Sequence, residues 1–175
     1  MASVEAFREH VRESILDPEG VHHEFRAGGH GQKLDFDLIP TGSSFYHEWI
    51  DVAEDYLREQ FPELPRIILG VAKGTNRVAG SLGLRFKKEG VEGFSSAKNK
   101  EDDKVLYLPP AVKQHIAGVK PELVVVFEDV GTTGSNSVQV ARGALEAGAL
   151  AVEVVTTWKR QPALGRLDEA GIPYR

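Results

Sequence analysis

Buried strands are the first elements that the hydrophobic pattern predicts. Residues 67–71 and 123–127 are apolar runs rich in Val, Ile and Leu, and residues 152–157 form a third, more mixed run. Short runs of this kind, without strict alternation, are typical of parallel strands that are covered on both faces. Parallel strands bind ligands beyond their carboxyl ends, so the residues that follow each run are the candidates for chemistry.

Helical periodicity surrounds these strands. A first amphipathic helix, which the turn residues 17–20 should end, is predicted by the spacing of Val4, Phe7, Val11 and Ile15. Ser43 or Ser44 can cap a second helix, whose shared apolar face consists of Trp49, Ala53, Tyr56 and Leu57. Residues 138–145 also have a helical pattern. Helices that alternate with strands imply crossover connections and a parallel sheet.

Two segments have less regular patterns. A Gly-rich stretch at 27–31 leads into residues 34–38, which alternate like a strand. Residues 89–104 are charged, contain Gly and Ser, and are too polar for a core. We therefore predict one domain over 1–175, in which residues 85–104 form a polar segment that can be mobile.

Composition excludes several classes of protein. The 175 residues suffice for one domain, and the absence of Cys excludes disulfides and thiolate chemistry. A formal net charge of -5 argues against a protein that binds duplex nucleic acid through a basic face. No apolar run approaches the ~20 residues of a membrane span. Residues 1–5 lack the start of a secretory signal, so we expect a cytoplasmic protein.

The chemistry concentrates after the second apolar run. This run ends in the acids Glu128 and Asp129, and a loop of Gly, Thr and Ser follows at 131–135. Glycines let backbone N–H groups approach an anion closely, and the helix that follows points its positive N-terminus at the same anion. The acids suit sugar hydroxyls. The pattern therefore indicates a ligand with hydroxyls beside a phosphate, such as a ribose 5-phosphate.

This string resembles the phosphoribosyl-pyrophosphate signature of the type I phosphoribosyltransferases, in which an apolar strand precedes two acids, two further residues, Thr-Thr-Gly and a small residue. The resemblance implies a doubly wound, mainly parallel α/β sheet flanked by helices. It also implies an N-terminal helix and base-binding hood over 1–40 and a flexible catalytic loop over 85–104. It implies that Glu128 and Asp129 hold the ribose hydroxyls and act in catalysis, with Asp129 also at the metal. The 5-phosphate would be wrapped by Thr132, Thr133, Gly134, Ser135 and Asn136.

A second loop, at 70–77, follows the first buried strand and contains Gly and Lys. Such a loop suits a diphosphate, because backbone amides and one cation can converge on it. The type I phosphoribosyltransferases carry their pyrophosphate loop at the corresponding position, before the signature. The resemblance therefore implies that Ala72, Lys73 and Gly74 contact the pyrophosphate. The mobile catalytic loop of these enzymes corresponds to 85–104, where Lys98 and Lys100 are the candidates for contact with the leaving group.

The resemblance implies a homodimer that uses Mg²⁺ and transfers the phosphoribosyl group from phosphoribosyl pyrophosphate to a nucleobase. Orotate is the favoured base, because the orotate enzymes share Thr-Thr-Gly, because Arg160 suits a carboxylate, and because Phe36 lies in a segment like their base-binding strand. The 6-oxopurine enzymes are an alternative, although they place an Asp where Thr132 stands. A non-catalytic, nucleotide-sensing regulator on the same fold is a further alternative.

Overall fold

A computed structural model describes residues 23–24, 30–31, 41–72, 74–102, 104–131, 133–159 and 161–175. The helix predicted at the N-terminus and the strand predicted over 34–38 lie outside these ranges. The chain divides into two units, Met1–Pro62 and Glu63–Arg175. The single domain predicted over 1–175, with its hood over 1–40, stays a prediction.

The described residues of the first unit form a two-stranded pairing and one long helix. Strand β1 (His23–Glu24) pairs antiparallel with β2 (His30–Gly31). Helix α1 (Ser44–Gln60) begins after Ser43, whose hydroxyl accepts a hydrogen bond from Tyr46 N at 3.1 Å. The buried side chains of α1 include Trp49, Ala53 and Leu57. These contacts confirm the predicted cap and most of the predicted apolar face.

The second unit alternates strands and helices. Its elements in chain order are β3 (Ile67–Gly70), α2 (Asn76–Arg85), a short 3₁₀ helix (Lys87–Glu89), β4 (Glu92–Ser95), β5 (Ala97–Lys98), β6 (Leu106–Tyr107), α3 (Pro110–Val119), β7 (Val124–Gly131), α4 (Ser135–Glu146), β8 (Val152–Lys159) and α5 (Gln161–Glu169). The main sheet has the strand order β4-β3-β7-β8, and all its pairings are parallel. The three predicted strands are therefore confirmed as neighbours in one parallel sheet.

Both faces of this sheet are buried. One face packs into a cluster with residues of α3, α4 and α5, and its strand residues are Ile67, Leu69, Val124, Val126, Val152 and Val154. The residues that alternate with them, Ile68, Val125 and Val155, are buried as well. This explains why the strands are apolar without alternation. None of the described helices is both long enough and apolar enough to cross a membrane.

The segment predicted as a flexible loop, 85–104, contains regular structure, and its mobility stays a prediction. Strand β4 pairs with β3 at the edge of the sheet, and β5 pairs antiparallel with β6. Two glycines make the edge strand possible, because Cβ atoms at Gly83 and Gly93 would overlap backbone atoms of β4 and α2 respectively. An edge strand tolerates polar residues, and its pairing depends on this close helix contact rather than on apolar composition.

Candidate functional site

The two acids lie where β7 extends past its neighbour. Strand β3 ends at Gly70, opposite Phe127, whereas β7 and β8 continue side by side to Gly131 and Lys159. The acids are thus part of the strand, which is longer than the predicted 123–127. On the β3 side, the loop that follows Gly70 takes over from the strand, and Val71 N donates to Phe127 O at 3.1 Å. The acids therefore lie beside this loop at the carboxyl edge of the sheet.

The loop after β3 is held by two buried hydroxyls. The Thr75 hydroxyl accepts from Val71 N at 2.9 Å and lies within hydrogen-bonding distance of the carbonyl oxygens of Val71 and Phe127. Ser96, which follows β4, accepts from Ala72 N at 2.9 Å through its own hydroxyl. Its carbonyl oxygen accepts from Asn76 Nδ2 at 3.2 Å. The loop is therefore fixed to both neighbouring strands.

Gly74 brings this loop against Asp129. A Cβ atom at Gly74 would overlap Oδ2 of the half-buried Asp129 side chain, so only Gly permits the observed approach. Gly74, which was predicted to contact pyrophosphate, and Asp129, which was predicted to contact ribose, are neighbours in space, although more than fifty positions separate them in the sequence. The structure thus brings the loop after β3 to the acid that precedes the predicted phosphate loop.

Glu128 has a different environment from Asp129. Its side chain is 5% exposed, and the hydroxyl of Ser137 in α4 donates to its Oε2. Burial raises the pKa of Glu128 from 4.5 to about 7; the hydrogen bond from Ser137 lowers the pKa, and the charge of Asp129 raises it further. Since successive strand residues point to opposite faces, one acid contacts α4 and the other contacts the loop after β3.

The predicted phosphate loop leads directly into α4. Gly134 has a φ of 71°, a left-handed conformation that favours Gly, and a Cβ atom there would lie 2.9 Å from Ala163 O of α5. Gly134 O accepts from Val138 N at 2.9 Å, which starts the helix. The first N–H groups of α4 have no intrahelical partner and carry the positive end of its dipole, so they can bind an anion.

Several predicted residues are not brought to this site by the described structure. Lys98 lies on β5 and Lys100 in the turn after it, and both are exposed. Lys73, Thr132, Arg160 and Phe36 lie outside the described residues. Their roles stay predictions.

Four contributing residues were not predicted from the sequence: Thr75, Ser96, Ser137 and Arg166. Each makes a side-chain contact to a residue that lies well away from it in the sequence, in another strand, helix or loop. A Thr before a helix normally indicates a cap, but the Thr75 hydroxyl turns back to the strands and makes no capping bond. No local pattern identified the other three.

The donor set suits Mg²⁺ that arrives with a phosphate ligand. No group of three or more His, Asp or Glu side chains that could hold a metal occurs among the described residues. Mg²⁺ in phosphate chemistry needs one or two protein carboxylates, and substrate oxygens and water complete its shell. Asp129, half-buried at the junction of the two loops, is the carboxylate that fits this role.

Several solved structures of phosphoribosyltransferases have folds similar to that of this chain. The chain matches adenine phosphoribosyltransferase from Saccharomyces cerevisiae with a TM-score of 0.72 and 16% identity, over 98% of each chain. It matches a phosphoribosyltransferase from Corynebacterium diphtheriae with a TM-score of 0.65 and 24% identity, over 100% of this chain and 94% of the other.

A third match is orotate phosphoribosyltransferase from Mycobacterium tuberculosis in complex with phosphoribosyl pyrophosphate, with a TM-score of 0.61 and 19% identity over 98% of this chain and 92% of the other. Neither a family model nor a curated protein matches the sequence. At these identities the structural likeness establishes the fold. The chain has the fold of the type I phosphoribosyltransferases.

Proposed function

We propose that the protein is an Mg²⁺-dependent phosphoribosyltransferase that joins the 5-phosphoribosyl group of phosphoribosyl pyrophosphate to a nucleobase. The observation that carries the proposal is the contact between Gly74 and Asp129, because it unites a loop suited to pyrophosphate with an acid suited to ribose. The N-terminus of α4 lies next to the same strand end and suits the 5-phosphate. The similar enzymes act on adenine and orotate.

The proposed reaction exchanges one bond at the anomeric carbon. A nitrogen of the base forms the new bond and releases its proton to water, the bond to the pyrophosphate oxygen breaks, and the bonding electrons leave with the pyrophosphate. Positive charge develops on the ribose ring, and the carboxylate of Asp129 complements it. The loop after β3 holds the departing diphosphate, and Mg²⁺ supplies further charge neutralisation to that group when it is bound. Positioning and electrostatics supply the catalysis, and no covalent nucleophile is needed.

Glu128 has a supporting part in this proposal. As observed, its carboxyl group joins β7 to α4 through Ser137, and so it fixes the phosphate-binding helix relative to the acids. The resemblance also implies that Glu128 contacts the ribose hydroxyls. For this contact the Glu128 carboxyl group must bond to the ribose in addition to the Ser137 hydroxyl, or in place of it. Lys73, Lys98 and Lys100 remain the proposed cationic contacts of the leaving group.

Orotate is the proposed base. The support is Arg160, which follows β8 directly and whose planar guanidinium matches a carboxylate, together with Thr132 where the 6-oxopurine enzymes have an Asp. Phe36 is the proposed aromatic contact of the base. A purine is the alternative base, and the structural likeness to an adenine phosphoribosyltransferase supports that alternative. We also propose a homodimer, which sedimentation equilibrium would test.

A turnover assay tests the choice of base. Purified protein, phosphoribosyl pyrophosphate and Mg²⁺ are combined with orotate, uracil, adenine, hypoxanthine or guanine, and pyrophosphate release is measured. We expect orotate to be the best substrate. Arg160→Ala should raise the KM for orotate at least about tenfold through loss of charge-assisted hydrogen bonds, with little effect on phosphoribosyl pyrophosphate. Faster turnover of a purine would reject orotate, and no turnover with any base would favour the nucleotide-sensing regulator.

A further inference from the structure

Arg166 lies beside the predicted phosphate loop and has no part in the activity described so far. It belongs to the last turn of α5, and its Nη1 donates a hydrogen bond to Oγ of Ser135, the first residue of α4. Ser135 is one of the residues predicted to wrap the 5-phosphate. A guanidinium group is therefore in contact with the phosphate loop through a residue that the sequence motif does not include.

The close packing of α5 on the loop fixes this arrangement. The Ala163 backbone lies so near Gly134 that a Cβ at Gly134 would be 2.9 Å from Ala163 O and 3.3 Å from Ala163 Cα. Ala163 and Arg166 are three positions apart and so lie on the same side of α5. The backbone contact at Gly134 thus holds Arg166 within reach of the loop.

The charge of Arg166 is not balanced locally by the described residues. The contact that the structure gives its guanidinium is the neutral Ser135 hydroxyl, and no described carboxylate forms an ion pair with it. The guanidinium end of the Arg166 side chain lies at the N-terminus of α4, where the positive end of the helix dipole repels a cation. Both positive groups would be stabilised by one anion between them. A guanidinium also offers several N–H donors in a plane, a geometry that matches phosphate oxygens.

We propose that Arg166 binds the 5-phosphate of the ribose substrate, and that its hydrogen bond to Ser135 holds it ready at the loop. The inference rests on the proposed function and deepens it, because it assigns a second source of positive charge to the phosphate group alone. Arg166 is then a substrate-binding residue with no contact to pyrophosphate or base. The ribose 5-phosphate group is recognised as a dianion by α4 and α5 together.

Ligand binding to three variants tests this inference. Arg166→Ala, Arg166→Lys and the control Arg142→Ala are titrated by calorimetry with ribose 5-phosphate and, separately, with Mg²⁺ and pyrophosphate. Arg142 is an exposed residue of α4. It lies about 10 Å farther along the helix than Ser135. Its replacement by Ala changes the net charge by the same amount as Arg166→Ala does.

We expect Arg166→Ala to weaken the binding of ribose 5-phosphate on the order of tenfold or more and to leave the affinity for pyrophosphate unchanged. Arg166→Lys should recover part of the loss, and Arg142→Ala should bind both ligands as the wild type does. Unchanged ribose 5-phosphate affinity in Arg166→Ala would overturn the inference, as would equal losses for both ligands. A wild-type protein that binds neither ligand would contradict the proposed function itself.

Discussion

The two adjacent acids divide their roles through burial. Asp129 is half-buried at the junction of two loops, whereas Glu128 is buried against α4 with Ser137 as its hydrogen-bond donor. The sequence presents them as an equivalent pair. Strand alternation separates them, since neighbouring residues of β7 point to opposite faces. Asp129 is thus placed for contact with a ligand, and the ionisation of Glu128 is tied to the stability of the fold.

Glu128→Gln should change how stability depends on pH. At pH values below 4.5 the carboxyl group is protonated in both the folded and the unfolded chain. As pH rises from 4.5 to about 7, the unfolded chain loses this proton while the folded protein keeps it, so the free energy of unfolding falls. The decrease is complete above about pH 7. With about 1.4 kcal/mol per pKa unit, the total is on the order of 3 kcal/mol.

The measurement is urea unfolding of both proteins between pH 4.5 and pH 8, the interval that spans the ordinary and the raised pKa of Glu128. Gln cannot ionise, so the stability of the variant relative to the wild type should increase by that amount across the range. Comparison of the two proteins at each pH cancels the titration of all other groups. A stability difference that does not vary with pH would show that Glu128 ionises normally.

Gly74→Ala should lower activity more than stability. The added methyl group overlaps the Asp129 carboxylate, which is the end of a flexible side chain and can turn away. We expect the free energy of unfolding to change by less than about 1 kcal/mol, within the usual range of a tolerated substitution. Because Asp129 loses its position, kcat/KM for phosphoribosyl pyrophosphate should fall at least about tenfold. Wild-type kcat/KM in this variant would show that the contact between the loops is not needed for turnover.

At the scale of elements, the edge strand β4 depends on close contact with α2. A Cβ atom at Gly93 would overlap the carbonyl oxygen of Ala79, which belongs to the helix backbone and cannot rotate away. Gly80, in the same helix, has open space around its Cβ position. The two glycines therefore form a matched pair, in which one is required by packing and the other only weakens the helix.

Gly93→Ala should destabilise the protein by about 2 kcal/mol or more, because the helix and strand must separate. Gly80→Ala should stabilise it by about 0.5–1 kcal/mol, since Ala favours a helix interior. Thermal unfolding of both variants, followed by circular dichroism, measures the two effects. Equal stability of Gly93→Ala and the wild type would mean that β4 does not pack against α2 as described.

The elements also show what the sequence can predict. The buried strands and the capped helix α1 follow from local patterns of apolar residues and a single Ser, and the structure confirms them. Strand β4 is short, polar and Gly-containing, and it forms because β3 and α2 lie beside it. The extension of β7 through the acids depends on pairing with β8. Patterns along the chain do not contain these long-range contacts.

For the candidate site, as for the fold, the sequence indicated some residues and missed others. The loop after the first strand and the motif after the second indicated Gly74, Asp129 and the start of α4 as candidates, because such chemistry is encoded in short runs of sequence. They did not identify Thr75, Ser96 or Ser137, whose hydroxyls hold the loops and helix in place. A buried hydroxyl contact depends on which elements become neighbours. Sequence patterns therefore indicated candidate ligand-binding groups, but they did not indicate the hydroxyl groups that hold the loops and helix in place.

At the scale of the whole molecule, the central claim is that one edge of a parallel sheet binds phosphoribosyl pyrophosphate with Mg²⁺. The chain has the fold of solved phosphoribosyltransferases, one of them in complex with phosphoribosyl pyrophosphate, and its loop after β3 meets Asp129. The alternatives for the base, and the regulator hypothesis, all retain a ribose-phosphate site. Direct binding of phosphoribosyl pyrophosphate therefore tests the part of the account on which the other proposals depend.

Isothermal calorimetry with phosphoribosyl pyrophosphate, in the presence and absence of Mg²⁺, makes this test. The wild type should bind the ligand with Mg²⁺ and much more weakly without it, since Mg²⁺ neutralises the diphosphate. Asp129→Asn removes a charge but little volume, and it should reduce the Mg²⁺-dependent affinity at least about tenfold while thermal unfolding confirms that it folds. If the folded wild-type protein shows no binding with Mg²⁺ present, the assignment of this sheet edge as a phosphoribosyl pyrophosphate site is contradicted.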